Sequence, residues 1–115
     1  MAPPNPMPAA AELGVEVAGE GVCRLAISER HLNEAGVAHG GVLFTLADTA
    51  LGLCAGPSWV GTQFSLQLLR AVRVGDVIEA RATEEHRSRR LLSYAVRLER
   101  DGALVGTLSA QLLAV

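Results

Sequence analysis

Five residues within a sixteen-position stretch, Asn33, His39, Gly40, Gly41 and Asp48, are the ones whose types and spacing could do chemistry. Asp48 is the only Asp, Glu, Lys or Arg between Ala35 and Leu69. A carboxylate in so apolar a run costs free energy unless it is paired, hydrogen-bonded or used for chemistry. Desolvation also makes it more basic, which suits general-base or nucleophilic attack. Its neighbours at helical spacing, Phe44, Thr45, Leu51 and Gly52, are not those of a solvated face. Gly40 and Gly41 bring bare backbone N–H groups to a helix start, where the dipole favours an oxyanion. A donor placed there is worth about 2.7–4 kcal/mol at the transition state. A tight entry into the helix is the plainer reading of the glycine pair. An acid and an anion hole on one short element point to acyl transfer.

The remaining polar candidates are less specific. His39, at the helix start, is either a hydrogen-bonded structural residue or a base. With His31 and His86 it makes no metal-ligand spacing. Asn33 is either an ordinary turn residue or one that orients a reacting water. Arg87, Arg89 and Arg90 form the only dense basic cluster. It reads equally as a solvated hairpin tip that blunts a sheet edge and as an anchor for a phosphate. Ser65 and Ser93 lack the context of a nucleophile elbow, which argues against a serine hydrolase.

One element must position Asp48 and the glycines. Leu43, Leu46, Ala47, Ala50 and Cys54 recur at three- and four-residue spacing and predict a helix from Gly41 to about Ala55, ended by Gly56-Pro57. Its opposite face, Gly41, Thr45, Asp48 and Gly52, is small rather than solvated, so a second subunit or a substrate should pack against it. Alternation at Leu13, Val15 and Val17 and again at Cys23, Leu25 and Ile27 predicts a hairpin, and Ser28–His39 a loop. Strands are expected at Phe64–Leu68, Val77–Glu85, Leu92–Arg100 and Leu104–Leu113, with Asp101-Gly102 a tight turn. The result is an α+β fold in which an antiparallel sheet curls around one long helix.

Composition bounds the rest. The 115 residues suit one domain, and a chain 50% hydrophobic at this length favours self-association. Only 3% is aromatic, so Leu, Val and Ala must build the core. A net charge of −2 lacks the basic field that nucleic-acid binding needs. Cys23 and Cys54 read as reduced core thiols. The first ten residues have no secretory pattern and no span is long enough for a membrane, so a soluble, cytoplasmic protein is expected. Residues 1–12 read as a poorly ordered, proline-rich arm before a single domain at 13–115.

The run His31-Leu-Asn33, His39-Gly40-Gly41-Val-Leu-Phe-Thr-Leu-Ala-Asp48 resembles the signature of hotdog-fold acyl-CoA thioesterases, most closely the phenylacetate-pathway (PaaI-type) branch. The likeness continues through Ser65-Leu-Gln-Leu-Leu-Arg70, Gly75-Asp76 and Ser88-Arg-Arg90. It implies a central helix wrapped by five or six antiparallel strands, subunits paired edge to edge, dimers assembling into tetramers, and an active site at the subunit interface. By the same resemblance, the Gly40 N–H would polarise the thioester carbonyl and Asp48 would attack it or activate water. His39 and Asn33 would support the leaving group and orient water or substrate, Gly41 would help bind substrate, and the partner's Ser65 would line the site. Arg87, Arg89 and Arg90 are offered as contacts for the phosphates of CoA. No metal or separate cofactor is implied. Ala71 departs from the family's usual proline after the Leu-Arg pair. The competing readings are an enoyl-thioester hydratase or dehydratase sharing His39 and Asp48, and a non-catalytic acyl-CoA-binding module.

Overall fold

Apolar residues at helical spacing place Leu43, Leu46, Ala47, Ala50 and Leu51 on the buried side of one central helix, and strand alternation supplies the surface they bury against. The computed structural model describes residues 7–115. Its elements are α1 (Pro8–Leu13), β1 (Glu16–Gly19), β2 (Val22–Ala26), a 3-10 turn (Glu29–His31), α2 (Gly40–Ala55), β3 (Trp59–Leu68), β4 (Val77–Arg87), β5 (Leu91–Arg100) and β6 (Ala103–Ala114). The six strands form one antiparallel sheet in the order β1-β2-β4-β5-β6-β3. Its inner face presents Ile78 and Ala80 from β4, Leu92, Tyr94, Val96 and Leu98 from β5, and Leu108, Ala110 and Leu112 from β6. The architecture is the expected helix wrapped by a sheet, with six strands.

The buried stripe of α2 is wider than its spacing predicts. Thr49 and Leu51 are buried, whereas Cys54 is only half-buried. The sheet covers one side of α2 and α1 touches another. The first element is also a correction: residues 8–12, expected in an unstructured arm, belong to α1. Pro8 sits at the helix start, where a missing N–H costs nothing, and Ala10 is fully buried. Gly14, at φ 93°, closes it in the left-handed conformation that glycine adopts freely. Two side chains then pin α1. Arg30 Nη1 donates to the Glu12 carbonyl (2.7 Å), and the buried His31 accepts the Ser28 N–H on Nδ1 (2.9 Å), so its Nε2 donates to the Leu13 carbonyl (2.7 Å). Residues 1–6 of the proposed arm lie outside the described residues.

The last four strands all run longer than alternation predicts, β5 and β6 by only a residue at an end, β3 and β4 because of register shifts. A register shift between Gly61 and Gln63 breaks the period of β3, which hides its first five residues from a pattern search. A second shift, between Glu84 and His86, carries β4 on to Arg87. The loop 28–39 holds the 3-10 turn and a bridge between Leu32 and Ala38. Asp101 (φ 50°) and Gly102 (φ 80°) form the expected tight turn.

Candidate active site

The start of α2 is built by His39. Its backbone is extended (φ −63°, ψ 135°), and its Nδ1 accepts the Gly41 N–H at 2.8 Å. The proton of the neutral ring therefore sits on Nε2, on an exposed side chain. A Cβ on Gly41 would lie 3.0 Å from that Nδ1, so the cap itself requires a small residue at 41. The His39 carbonyl takes the N–H groups of Val42 (3.0 Å) and Leu43 (3.3 Å). Among the described residues, no group accepts from the Gly40 N–H. It is left as the open donor at the positive end of a sixteen-residue helix.

Asn33 reaches the same place from the loop. Its Oδ1 accepts the N–H groups of Ala35 (2.9 Å) and Val37 (3.3 Å), which folds the loop and leaves its amide NH2 uncommitted among the described residues. Asn33 and Gly40 share a cleft of about 300 Å³ with Leu43, Leu68, Arg70 and Val72. The turn that follows the cleft-lining segment Leu68–Val72 is held by Asp76, whose Oδ2 accepts the Arg73 N–H (2.9 Å) and the Arg100 guanidinium (2.8 Å). Those contacts keep its carboxyl below the ordinary range.

Asp48 lies elsewhere. It is half-buried beside a separate, mostly apolar cleft of about 270 Å³, lined by Leu51, Leu53, Trp59, Val60 and Leu112 among others. No described group donates a hydrogen bond or forms an ion pair with it. Burial holds its carboxyl above the usual carboxylate range. Eight residues of helix separate it from Gly40, about 12 Å along the axis. The two clefts flank opposite ends of β3: Leu68 borders the Gly40 cleft, and Trp59 and Val60 border the Asp48 cleft. One chain thus brings together Gly40, Asn33 and the His39 cap but not Asp48.

The outlying candidates are also dispersed. Ser65 is exposed on the sheet face turned away from α2, in a shallow polar depression of about 230 Å³ with Gln63, Ser93, Ser109 and Gln111. Arg89 and Arg90 are exposed in the β4–β5 turn. Arg87 is engaged: Nη2 lies 2.7 Å and Nε 3.1 Å from Glu84 Oε1, and the guanidinium sits 5.7 Å from the centre of the Trp59 ring. The Tyr94 hydroxyl donates to the same Glu84 oxygen (3.0 Å). Burial pushes the Cys23 thiol up to about 11, as befits an inert core cysteine. Sequence reasoning missed Trp59. The available signal was that it is the only tryptophan of a chain poor in aromatics, just past the helix that carries Asp48.

Comparison with known proteins gives this geometry a setting. The family model described as "Thioesterase superfamily" matches residues 35–107. A provisionally named esterase of Pseudomonas aeruginosa is 34% identical over 94 residues, 76% of this chain and 70% of that protein. One from Deinococcus radiodurans is 35% identical over 78 residues, and the match spans 53% of its length. Among solved structures, the TT0310 protein of Thermus thermophilus superposes with a TM-score of 0.86 at 33% identity, over 94% of this chain and 97% of that one. A mutant of the phenylacetic acid degradation protein PaaI, also of T. thermophilus, gives 0.86 at 32% identity, over 94% and 99%. A hypothetical thioesterase of Streptococcus pneumoniae, solved with coenzyme A, gives 0.79 at 28% identity, over 88% and 84%. With the family model matching and the helix and sheet superposing on these structures, this chain belongs to the thioesterase superfamily, in its hotdog-fold, PaaI-type branch.

Proposed function

We propose that the protein hydrolyses a small acyl- or aryl-acyl-CoA thioester to the free acid and CoA. The observation that carries this reading is that one helix holds both a half-buried Asp48 without a described partner and an open N–H at Gly40. Either Asp48 takes a proton from a water that adds to the thioester carbonyl carbon, or its carboxylate adds there and the mixed anhydride it forms is afterwards opened by water to the free acid. The oxygen gains negative charge against the Gly40 N–H, the C–S bond breaks, and the CoA sulfur leaves as a thiol after taking up a proton. His39 Nε2–H and the free amide of Asn33 are suited to support that leaving group and to orient water or substrate. The CoA bound in the S. pneumoniae thioesterase supports the ligand class.

Because Gly40 and Asp48 lie about 12 Å apart along one helix, a single carbonyl cannot meet both within one chain. A two-fold pairing of the open β3 edges removes the difficulty. Antiparallel β3 strands set the Leu68 end of one protomer beside the Trp59–Gly61 end of the other, and with it Gly40 of one beside Asp48 of the other. The site is thus read as shared across a homodimer, with tetramers built from such dimers and the phosphates of CoA reaching Arg89 and Arg90. Arg87 is less available to them, being held by Glu84. Thiol release measured across a panel of acyl-CoA esters tests the reading. Asp48→Asn should lower kcat at least ~10²-fold with the fold intact; full activity in that variant would overturn it.

A further inference from the structure

The cleft beside Asp48 has a direction. It extends along the second half of α2 past Leu51, and β3 begins just beyond the helix end, so Trp59 stands at the C-terminal limit of the cleft. An acyl chain whose carbonyl meets Asp48 and which runs away from the reacting centre therefore points at the Trp59 ring. At about 270 Å³ the cleft is just below the usual range for small-molecule sites, about 300–1,000 Å³. The position of its end wall therefore decides what fits.

The wall is held from the far side of the sheet. Arg87 stands on β4, and β5 and β6 lie between it and β3. Its guanidinium nevertheless reaches the Trp59 ring, 5.7 Å from the centroid, while Glu84 fixes it through Nη2 and Nε. Glu84 is in turn bonded by the hydroxyl of Tyr94, which is buried in the core. A cation near the aromatic ring, itself held by a carboxylate and a core phenol, adds a restraint on the ring beyond its partial burial. Neighbouring Arg89 and Arg90 have no such partners among the described residues. A solvated hairpin tip gives no reason for one arginine of three to be laid on a tryptophan.

We propose that Trp59, positioned by Arg87 through Glu84 and Tyr94, is the end wall of the acyl cleft and sets the longest acyl group accepted. The proposal rests on the thioesterase reading above. It names Trp59 as a specificity-determining residue and Arg87 as a positioning residue.

Two measurements test it. In the first, kcat and KM are measured for straight-chain acyl-CoA esters from propanoyl to decanoyl and for phenylacetyl-CoA. Wild type should favour the short and aryl esters. Trp59→Ala should raise the octanoyl-to-propanoyl ratio of kcat/KM at least about 10-fold, since even one methylene is worth that much in a fitted pocket. Trp59→Phe and Arg87→Met should move the ratio in the same direction by less, through KM for the longer esters. An unchanged chain-length profile in all three variants overturns the proposal while leaving the thioesterase reading intact. In the second, Trp59 is its own reporter, being the only tryptophan. Non-hydrolysable S-alkyl-CoA thioethers should shift its emission progressively with alkyl length, and CoA alone should not. Wild-type protein that releases no thiol from any ester contradicts the thioesterase reading. The emission titration then decides the wall by itself: a graded shift supports it, and a response to CoA equal to that for every thioether overturns it.

Discussion

Asp48 is costly to the fold and useful to the proposed chemistry for one reason. Burial without a donor raises its carboxyl pKa, so in the folded protein the proton is held more tightly than in the unfolded chain. Stability is then greatest below the unfolded value and falls as pH rises through the folded one. Asp48→Asn removes that loss, and thermal denaturation at neutral pH should show a higher Tm for the variant, even as activity disappears. The acid limb of kcat/KM should inflect above the ordinary carboxylate range in wild type, because attack needs the ionised form. A limb at the value of a solvated aspartate would contradict that assignment. The CoA contact proposed for Arg89 and Arg90 belongs to the same scale but works through longer-range charge. Replacing both with Ala should raise KM for acyl-CoA, less so at high salt, with kcat nearly intact.

At the scale of the element, α2 starts in a way that separates binding from folding. Gly40 occupies the first helical position, the preceding residue is already extended, and a Cβ there would meet only Leu68 Cδ1, at 3.5 Å. Proline is compatible with all three conditions, so Gly40→Pro deletes the N–H and little else. Its Tm should stay near wild type while kcat falls about 10²–10³-fold, the cost of a lost oxyanion donor. Gly41→Ala acts differently. Its methyl displaces the His39 ring, and the lost cap (about 1 kcal/mol) roughly offsets the helix propensity gained from alanine. Stability by denaturant titration should hardly change, and activity should drop. The existence of α2 and of most strands was legible because long runs keep one period. The first half of β3 was not, because the bulge after Gly61 breaks the alternation. Neither was α1, because six residues carry too few turns for periodicity and depend on contacts from Arg30 and His31.

At the scale of the molecule, the β3 edge is the unfinished part. Ten residues long, it lies open at the sheet margin, with Val60, Phe64, Leu68 and Leu69 exposed on or beside it. Phe64 packs edge-on to Phe44 of α2 (5.0 Å, 80°), so this margin is ordered against the helix yet still uncovered. A monomer with so open an edge invites pairing, and in the proposed dimer a second copy closes it. Leu69 donates to Val105 of β6, so in the alternating register Gln67 also faces β6 and the Leu66 N–H faces the open edge. Leu66→Pro, which removes that outward donor, should shift the protein toward monomer in light scattering and reduce activity with it. The sequence signature named Asn33, His39, Gly40 and Asp48 together. That Asn33 and Gly40 line one cleft of a chain and Asp48 another could be judged only from the helix length between them and the position of β3.

The central claim is that each site draws Gly40 from one protomer and Asp48 from the other. Gly40→Pro and Asp48→Asn chains, each inactive alone, are co-expressed in equal amounts and assayed for thiol release. Random pairing makes half the dimers mixed, each with one intact site of two, so about a quarter of wild-type activity should return. Activity that stays at the residual level of the two parents would mean that each site lies within a single protomer, and would contradict the account.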